Sequence, residues 1–196
     1  NIQFAQADIL QLDEHTQGTF DIVESTGVLH HMSDPLEGWS QLVKLLKPGG
    51  FMNIGLYSQS GRQDVVAAKS LIAELGFEND ADGIRRCRQR LLDDNSGAPP
   101  TDILNRRDFY SLSSCRDLLF HECEHRFDLI KIDEFLKSEH LSFISFQLDS
   151  RVLQAYRSSF PDDPSMTRLS NWNLFETENP ETFRGMYQFW VQKRIA

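Results

Sequence analysis

The sequence lacks most of what marks a secreted, membrane or nucleic-acid-binding protein. It has three cysteines, Cys87, Cys115 and Cys123, an odd count with no C-x-x-C pair. That pattern reads as reduced thiols in a cytoplasmic protein, not as a disulfide framework. No apolar run approaches the ~20 residues that a membrane span needs. The start, "NIQFAQADIL", has no basic region of the kind that opens a secretory signal, and no Met. Positive charge is scarce, with 20 Lys and Arg against 29 Asp and Glu, a net charge of −9. This argues against a nucleic-acid partner, because neutralising phosphates takes a basic face. The one basic cluster, "RRCRQR" at 85–90, reads as a solvated helix face.

What is present is a soluble globular composition, 40% hydrophobic with 14 Phe, in a length suited to one domain. "NIQFAQ" alternates and predicts a strand at 2–7. "FDIVEST" predicts a strand at 20–25. "DPLEGWSQLVKLLKPGG" predicts an amphipathic helix with Leu36, Trp39, Leu42, Val43 and Leu46 on one face, Pro35 in its first turn and Pro48-Gly49-Gly50 as its stop. "FMNIGLYS" predicts the next strand. Strand, strand, helix, strand is the grammar of a parallel α/β sheet.

Helices are expected over 62–76 and 82–94. A Gly/Pro/Ser-rich loop or lid is expected over 95–102, and partial helix over 107–125. A helix in "KIDEFLKSEH" precedes a strand at 141–148. A helix in "SRVLQAYRSSF" precedes a polar stretch with Pro161 and Pro164, and "RGMYQFWVQKR" supplies a terminal strand.

Within this pattern, "FHECEH" (120–125) contains His121-Glu122-x-x-His125, the H-E-x-x-H spacing of zinc-protease helices. Such a site needs both histidines on one helical face, Glu122 as base and a third ligand. Glu124 and Arg126 occupy places that a buried zinc helix keeps uncharged, so a zinc metalloprotease is only a distant alternative and no metal is expected.

Three pieces in order, "QADIL" (6–10), "FDIVESTGVLHHMSDP" (20–35) and "LLKPGGFMNIGLY" (45–57), resemble class I S-adenosylmethionine (SAM) dependent methyltransferases. "DFYSLSSCRDLLFHECEHRFDLIKIDEFL" and "MYQFWVQK" resemble a subgroup of that family often linked to tetratricopeptide repeats. The resemblance implies an α/β fold: an incomplete Rossmann-like methyltransferase sheet, mostly parallel with an antiparallel terminal strand, plus an α-helical insertion. It implies a single partial domain over 1–196, with sheet core at 1–58, helical insertion at about 59–128, and C-terminal strands and helices at about 129–196.

The cofactor implied is SAM. Asp8 would accept from the adenine amine, with Ile9 against the ring. Glu24, Ser25, Thr26 and Gly27 would form the turn beside the methionine part, at the carboxyl end of a strand where open α/β sheets bind ligands. His30 is a candidate general base, while His31 caps or packs the following helix. His121 and His125 are candidate substrate contacts. The acceptor would be a small molecule or a protein. The family's Gly-rich loop and ribose-binding acidic residue are not found in these residues. The chain is therefore expected to be inactive alone and open to self-association through an unpaired sheet edge. The alternative reading is a degenerate methyltransferase-like interaction module. Elemental analysis of protein purified without chelator is expected to show no stoichiometric zinc. Zinc that disappears in His121→Ala would contradict this.

Overall fold

The computed structural model describes residues 2–12, 18–94 and 100–195. Its elements run β1 (Phe20–Thr26), α1 (Pro35–Leu45), β2 (Leu46–Leu56), α2 (Gln63–Leu75), α3 (Ala81–Leu92), α4 (Leu112–Phe120), α5 (Leu129–Ser138), β3 (Leu141–Phe146), α6 (Ser150–Ser159), α7 (Leu169–Glu178) and β4 (Tyr187–Lys193). The chain divides into two units, residues 1–60 with 125–196, and residues 61–124.

The first unit holds a four-stranded sheet in the order β1-β2-β4-β3. β1 and β2 are parallel, and β4 lies antiparallel between β2 and β3. Three strands therefore share one direction and the terminal strand opposes them, as the sequence implied. α1 begins where Asp34 accepts from the N–H groups of Leu36 and Glu37, with Pro35 in the first turn. Trp39, Leu42 and Val43 turn inward, while Leu36, expected on the same face, is exposed. The Trp39 ring stacks on Phe135 of α5 at 4.2 Å. Met52, Ile54 and Leu56 of β2 meet Tyr187, Phe189 and Val191 of β4 in the same core.

Two sequence expectations fail here for identifiable reasons. Residues 2–8 carry no regular structure, and Ile2 and Phe4 are exposed. Alternation alone does not make a strand; its N–H and C=O groups need a neighbour, and none of the described residues pairs with 2–7. Pro48-Gly49-Gly50 does not stop α1, which ends at Leu45, directly before β2. These residues form an irregularity inside β2, where the register jumps from Phe20↔Leu46 to Ile22↔Phe51. Gly49 takes φ +79°, and a Cβ on Gly50 would come within 3.0 Å of the Lys47 carbonyl oxygen and 3.1 Å of that of Asp21. One helix was not anticipated: α7, which buries Leu169, Trp172 and Phe175. The polar stretch before it is ordered by buried Asp163, which accepts from the Tyr156 hydroxyl and from the N–H groups of Thr167 and Arg168.

The second unit packs α2, α3 and α4 with two 3-10 turns around Val65, Ala68, Ile84, Cys87, Ile103, Phe109 and Cys115. Gly76 closes α2 in the left-handed conformation. On α3, Ile84, Cys87 and Leu91 turn inward while Arg85, Arg86 and Arg90 are exposed. Burial pushes the Cys87 thiol up to about 12, with the neighbouring Cys115 adding to it, and burial pushes Cys115 up to about 11. Both sulfurs stay protonated and inert. The loop expected over 95–102 falls largely outside the described residues.

Two buried ion pairs hold the first residues of this unit. Arg106 forms a fork on Asp64, at 2.7 and 2.8 Å, and donates to the Gly61 carbonyl. Arg62 forms a second fork on Glu124, at 3.0 and 2.8 Å, with Lys69 at 3.3 Å. Burial alone would raise the Glu124 carboxyl. The Arg62 hydrogen bonds and charge, with Lys69, outweigh it and hold the group below its ordinary value. Such a carboxylate stabilises above its unfolded pKa, and that contribution is lost as the pH falls through the depressed folded value. The melting-temperature advantage of the wild type over Glu124→Gln is therefore expected to be largest near neutral pH and to shrink in acid. Arg62→Met is expected to cost about 3–5 kcal/mol at neutral pH in chemical denaturation, because it strips a buried carboxylate of its main partner.

Candidate functional site

β1 and β2 run the same way, so both end at one rim of the sheet, with Thr26 opposite Gly55. A Cβ on Gly55 would meet Thr26 Cγ2 at 2.7 Å and Met186 Sδ at 2.9 Å, so the close approach of the strands requires glycine there. Past Thr26 the chain turns through Gly27 at φ +77°, with nothing within 4 Å of where its side chain would lie. A 3-10 turn, Leu29–His31, follows.

His30 on that turn is fully buried. Its ring stacks on Tyr57, the first residue beyond β2, at 3.7 Å between centroids and 28° between planes. His31 contacts both rings, at 4.4 Å from His30 and 5.8 Å from Tyr57. Residues 125–127 stitch the two strand ends together. The His125 N–H donates to the His30 carbonyl at 2.8 Å, and the Phe127 N–H donates to the Tyr57 carbonyl at 2.9 Å. The Gln59 N–H donates in turn to the Phe127 carbonyl at 2.8 Å.

The rim therefore gathers Ser25, Thr26, Gly27, His30 and His125. Ser25 Oγ and Thr26 Oγ1 are buried and have no hydrogen-bond partner among the described residues. A buried hydroxyl without a partner costs about 1–3 kcal/mol; as successive residues of β1, the two side chains lie on opposite faces of the sheet. Glu24, one residue earlier, is exposed and accepts from Asn53 Nδ2 at 3.1 Å.

Asp8 and Ile9 lie on a separate 3-10 turn, Ile9–Gln11. Asp8 is exposed and caps it by accepting from the Leu10 N–H at 3.0 Å. Ile9 is half-buried against the sheet core, and Gln41 of α1 holds the turn by donating to the Leu12 carbonyl.

The H-E-x-x-H spacing does not form a helical metal face. α4 ends at Phe120, and His121 follows in extended backbone, φ −68° and ψ 129°. His121 lines a cavity of about 450 Å³ in the second unit with Asn79, Arg116, Asp117 and Glu122. His125 belongs to the first unit and lines a cavity of about 320 Å³ with Asp34, Arg126 and Lys131. Glu124, between them, serves the ion pair with Arg62.

Tyr57 was missed by the sequence reading. The signal was available, since it is the first residue beyond the carboxyl end of a parallel strand.

Residues 1–52 match a family described as a methyltransferase domain. The structure of PKMT2 from Rickettsia typhi superposes with a TM-score of 0.67 at 16% identity, covering 97% of this chain and 39% of that one. The chain has the class I methyltransferase fold. A second structure of PKMT2, in complex with AdoHcy, superposes equally well, with a TM-score of 0.67 over 96% of this chain and 40% of that one. An uncharacterized protein of Synechococcus sp. is 29% identical over 195 residues, covering 91% of this chain and 45% of its own length. This chain thus spans less than half the length of these relatives. No helix among its described residues is long and apolar enough to cross a membrane.

On this methyltransferase fold the two orphaned hydroxyls should matter little to stability. Thr26→Val and Ser25→Ala are expected to leave the melting temperature unchanged or raised, by up to about 3 kcal/mol in stability. Calorimetry measures it, and a fall as large as that of a core truncation would show that the hydroxyls have structural partners.

Proposed function

We propose that this chain supplies the β1–β2 rim of a SAM-dependent methyltransferase, in a longer protein that contains it. The observation that carries the reading is the open, left-handed turn at Gly27 directly after the carboxyl end of β1, where Ser25 Oγ and Thr26 Oγ1 have no hydrogen-bond partner among the described residues. A glycine turn at the end of a parallel strand lets backbone approach a polar, zwitterionic ligand part such as the methionine portion of SAM. Asp8 and Ile9 are the proposed adenine contacts. A carboxylate oxygen that now caps a turn has lone pairs left to accept from an amine. When bound, SAM carries the methyl group on a sulfonium, so the transfer is a direct displacement by the acceptor atom.

The chain's own contribution is alignment and exclusion of water. The Gly27 turn and the stitching at His125 and Phe127 fix the rim. His30 is the proposed general base, its ring plane set by the Tyr57 stack, and its task is to take the acceptor's proton on a ring nitrogen. His125 and His121, each at its own cavity, are the proposed acceptor contacts. A small molecule or protein acceptor fits the chain's net charge of −9 better than nucleic acid does.

The test is calorimetric titration of AdoHcy into the full-length protein. The wild type is expected to bind. Asp8→Ala and Thr26→Val are each expected to weaken binding about tenfold, or ~1.4 kcal/mol, with little change in melting temperature. Absence of binding by the wild type overturns the reading. Unchanged affinity in both variants moves the cofactor away from this rim.

A further inference from the structure

Behind the rim lies a carboxyl group that the proposed chemistry does not use. Glu176 of α7 is 2% exposed. Its Oε1 accepts from the Ser58 hydroxyl at 2.5 Å and its Oε2 from the Tyr187 hydroxyl at 2.6 Å. Both donors are fully buried, and no cation pairs with the carboxyl among the described residues. Burial raises the Glu176 carboxyl, and the charge of Asp128 adds to the effect against the two donated hydrogen bonds. A buried acid without a cation is costly to keep, so its placement calls for a purpose beyond packing.

Strand parity supplies one. Met52, Ile54 and Leu56 all turn into the core, and Ser58 continues that inward series to meet Glu176. Tyr57, between them in sequence, therefore faces the opposite side, where it stacks on His30 at 3.7 Å. Beyond Leu56 the ladder with β4 ends, and among the described residues the pairing continues as a parallel bridge between Ser58 and Phe127. A chain leaving a sheet can rotate, and rotation by one residue would exchange the sides of Tyr57 and Ser58.

We propose that Glu176 is a positioning residue: by holding the Ser58 hydroxyl inside, it holds the Tyr57 ring outside and so sets the His30 stack at the rim. The Tyr187 hydroxyl of β4 donates to the other oxygen. The functional part of this inference rests on the methyltransferase reading. The geometric part does not.

The experiment uses the full-length protein with 13C-labelled histidine, and the His30 signal is assigned by its loss in His30→Gln. Stacking on Tyr57 should displace that signal upfield, and Tyr57→Leu should abolish the displacement. Ser58→Ala and Glu176→Ala are expected to move the His30 signal toward its Tyr57→Leu position. Tyr187→Phe, which removes the partner on the β4 side, is expected to leave the signal in place. Should Glu176→Ala fail to fold, Ser58→Ala still decides. A His30 signal unmoved by Ser58→Ala overturns the proposal, and so does a Tyr187→Phe effect as large as that of Ser58→Ala. If the wild type binds no AdoHcy, the methyltransferase reading falls, while the His30 signal still decides the positioning.

Discussion

Parallel pairing of β1 with β2 brings the carboxyl ends of two strands to a single edge of the sheet. A reversed β1 would carry Ser25, Thr26 and Gly27 to the far end from Tyr57. The direction of pairing thus decides that the partnerless hydroxyls, the glycine turn and the His30–Tyr57 stack become neighbours. The irregularity at Pro48-Gly49-Gly50 stays away from this edge. It absorbs the register jump near the amino end of β2 and leaves Ile22 to Thr26 in continuous pairing with Phe51 to Gly55.

The rim is also held from below. Both oxygens of Glu176 are engaged by hydroxyls, one from the residue after Tyr57 and one from the first residue of β4. Aromatic packing surrounds this point: Tyr187 lies against Phe183, and Phe146 against Trp172 and Phe183. Rigid rings and a doubly bonded carboxyl restrict the same few residues. Groups that meet a ligand are best held by neighbours whose own rotamers are locked.

Local patterns carried much of the fold. Asp34 before Pro35, and Trp39, Leu42 and Val43 at helical spacing, marked α1 correctly because cap and face are set within one or two turns. The apolar, β-branched run of β1 and the aromatic alternation of β4 were equally legible. The strand expected at 2–7 failed because alternation describes a face, and a face without a neighbouring ladder has nothing to pair. α7 was passed over because Pro161 and Pro164 read as continuing loop, although Trp172 and Phe175 stand three apart. At the site, Gly27 could be read from its place after a strand, since a left-handed turn there favours glycine. The Ser58–Glu176 bond joins residues 118 positions apart, and no local pattern announces such a pair. The motif that drew most notice, His121 to His125, misled for a related reason. Its spacing presupposes a helix, and α4 ends one residue before it begins.

Arg62 and Glu124 stand one residue inside the start of the second unit and at its very end, and their side chains meet in a two-point grip. The unit therefore departs and returns through one doorway, latched by its own salt bridge. What lies beyond such a doorway is free to lengthen, shorten or exchange its helices over evolutionary time, provided the latch is kept. The strands outside it would register no change in the spacing of their ends.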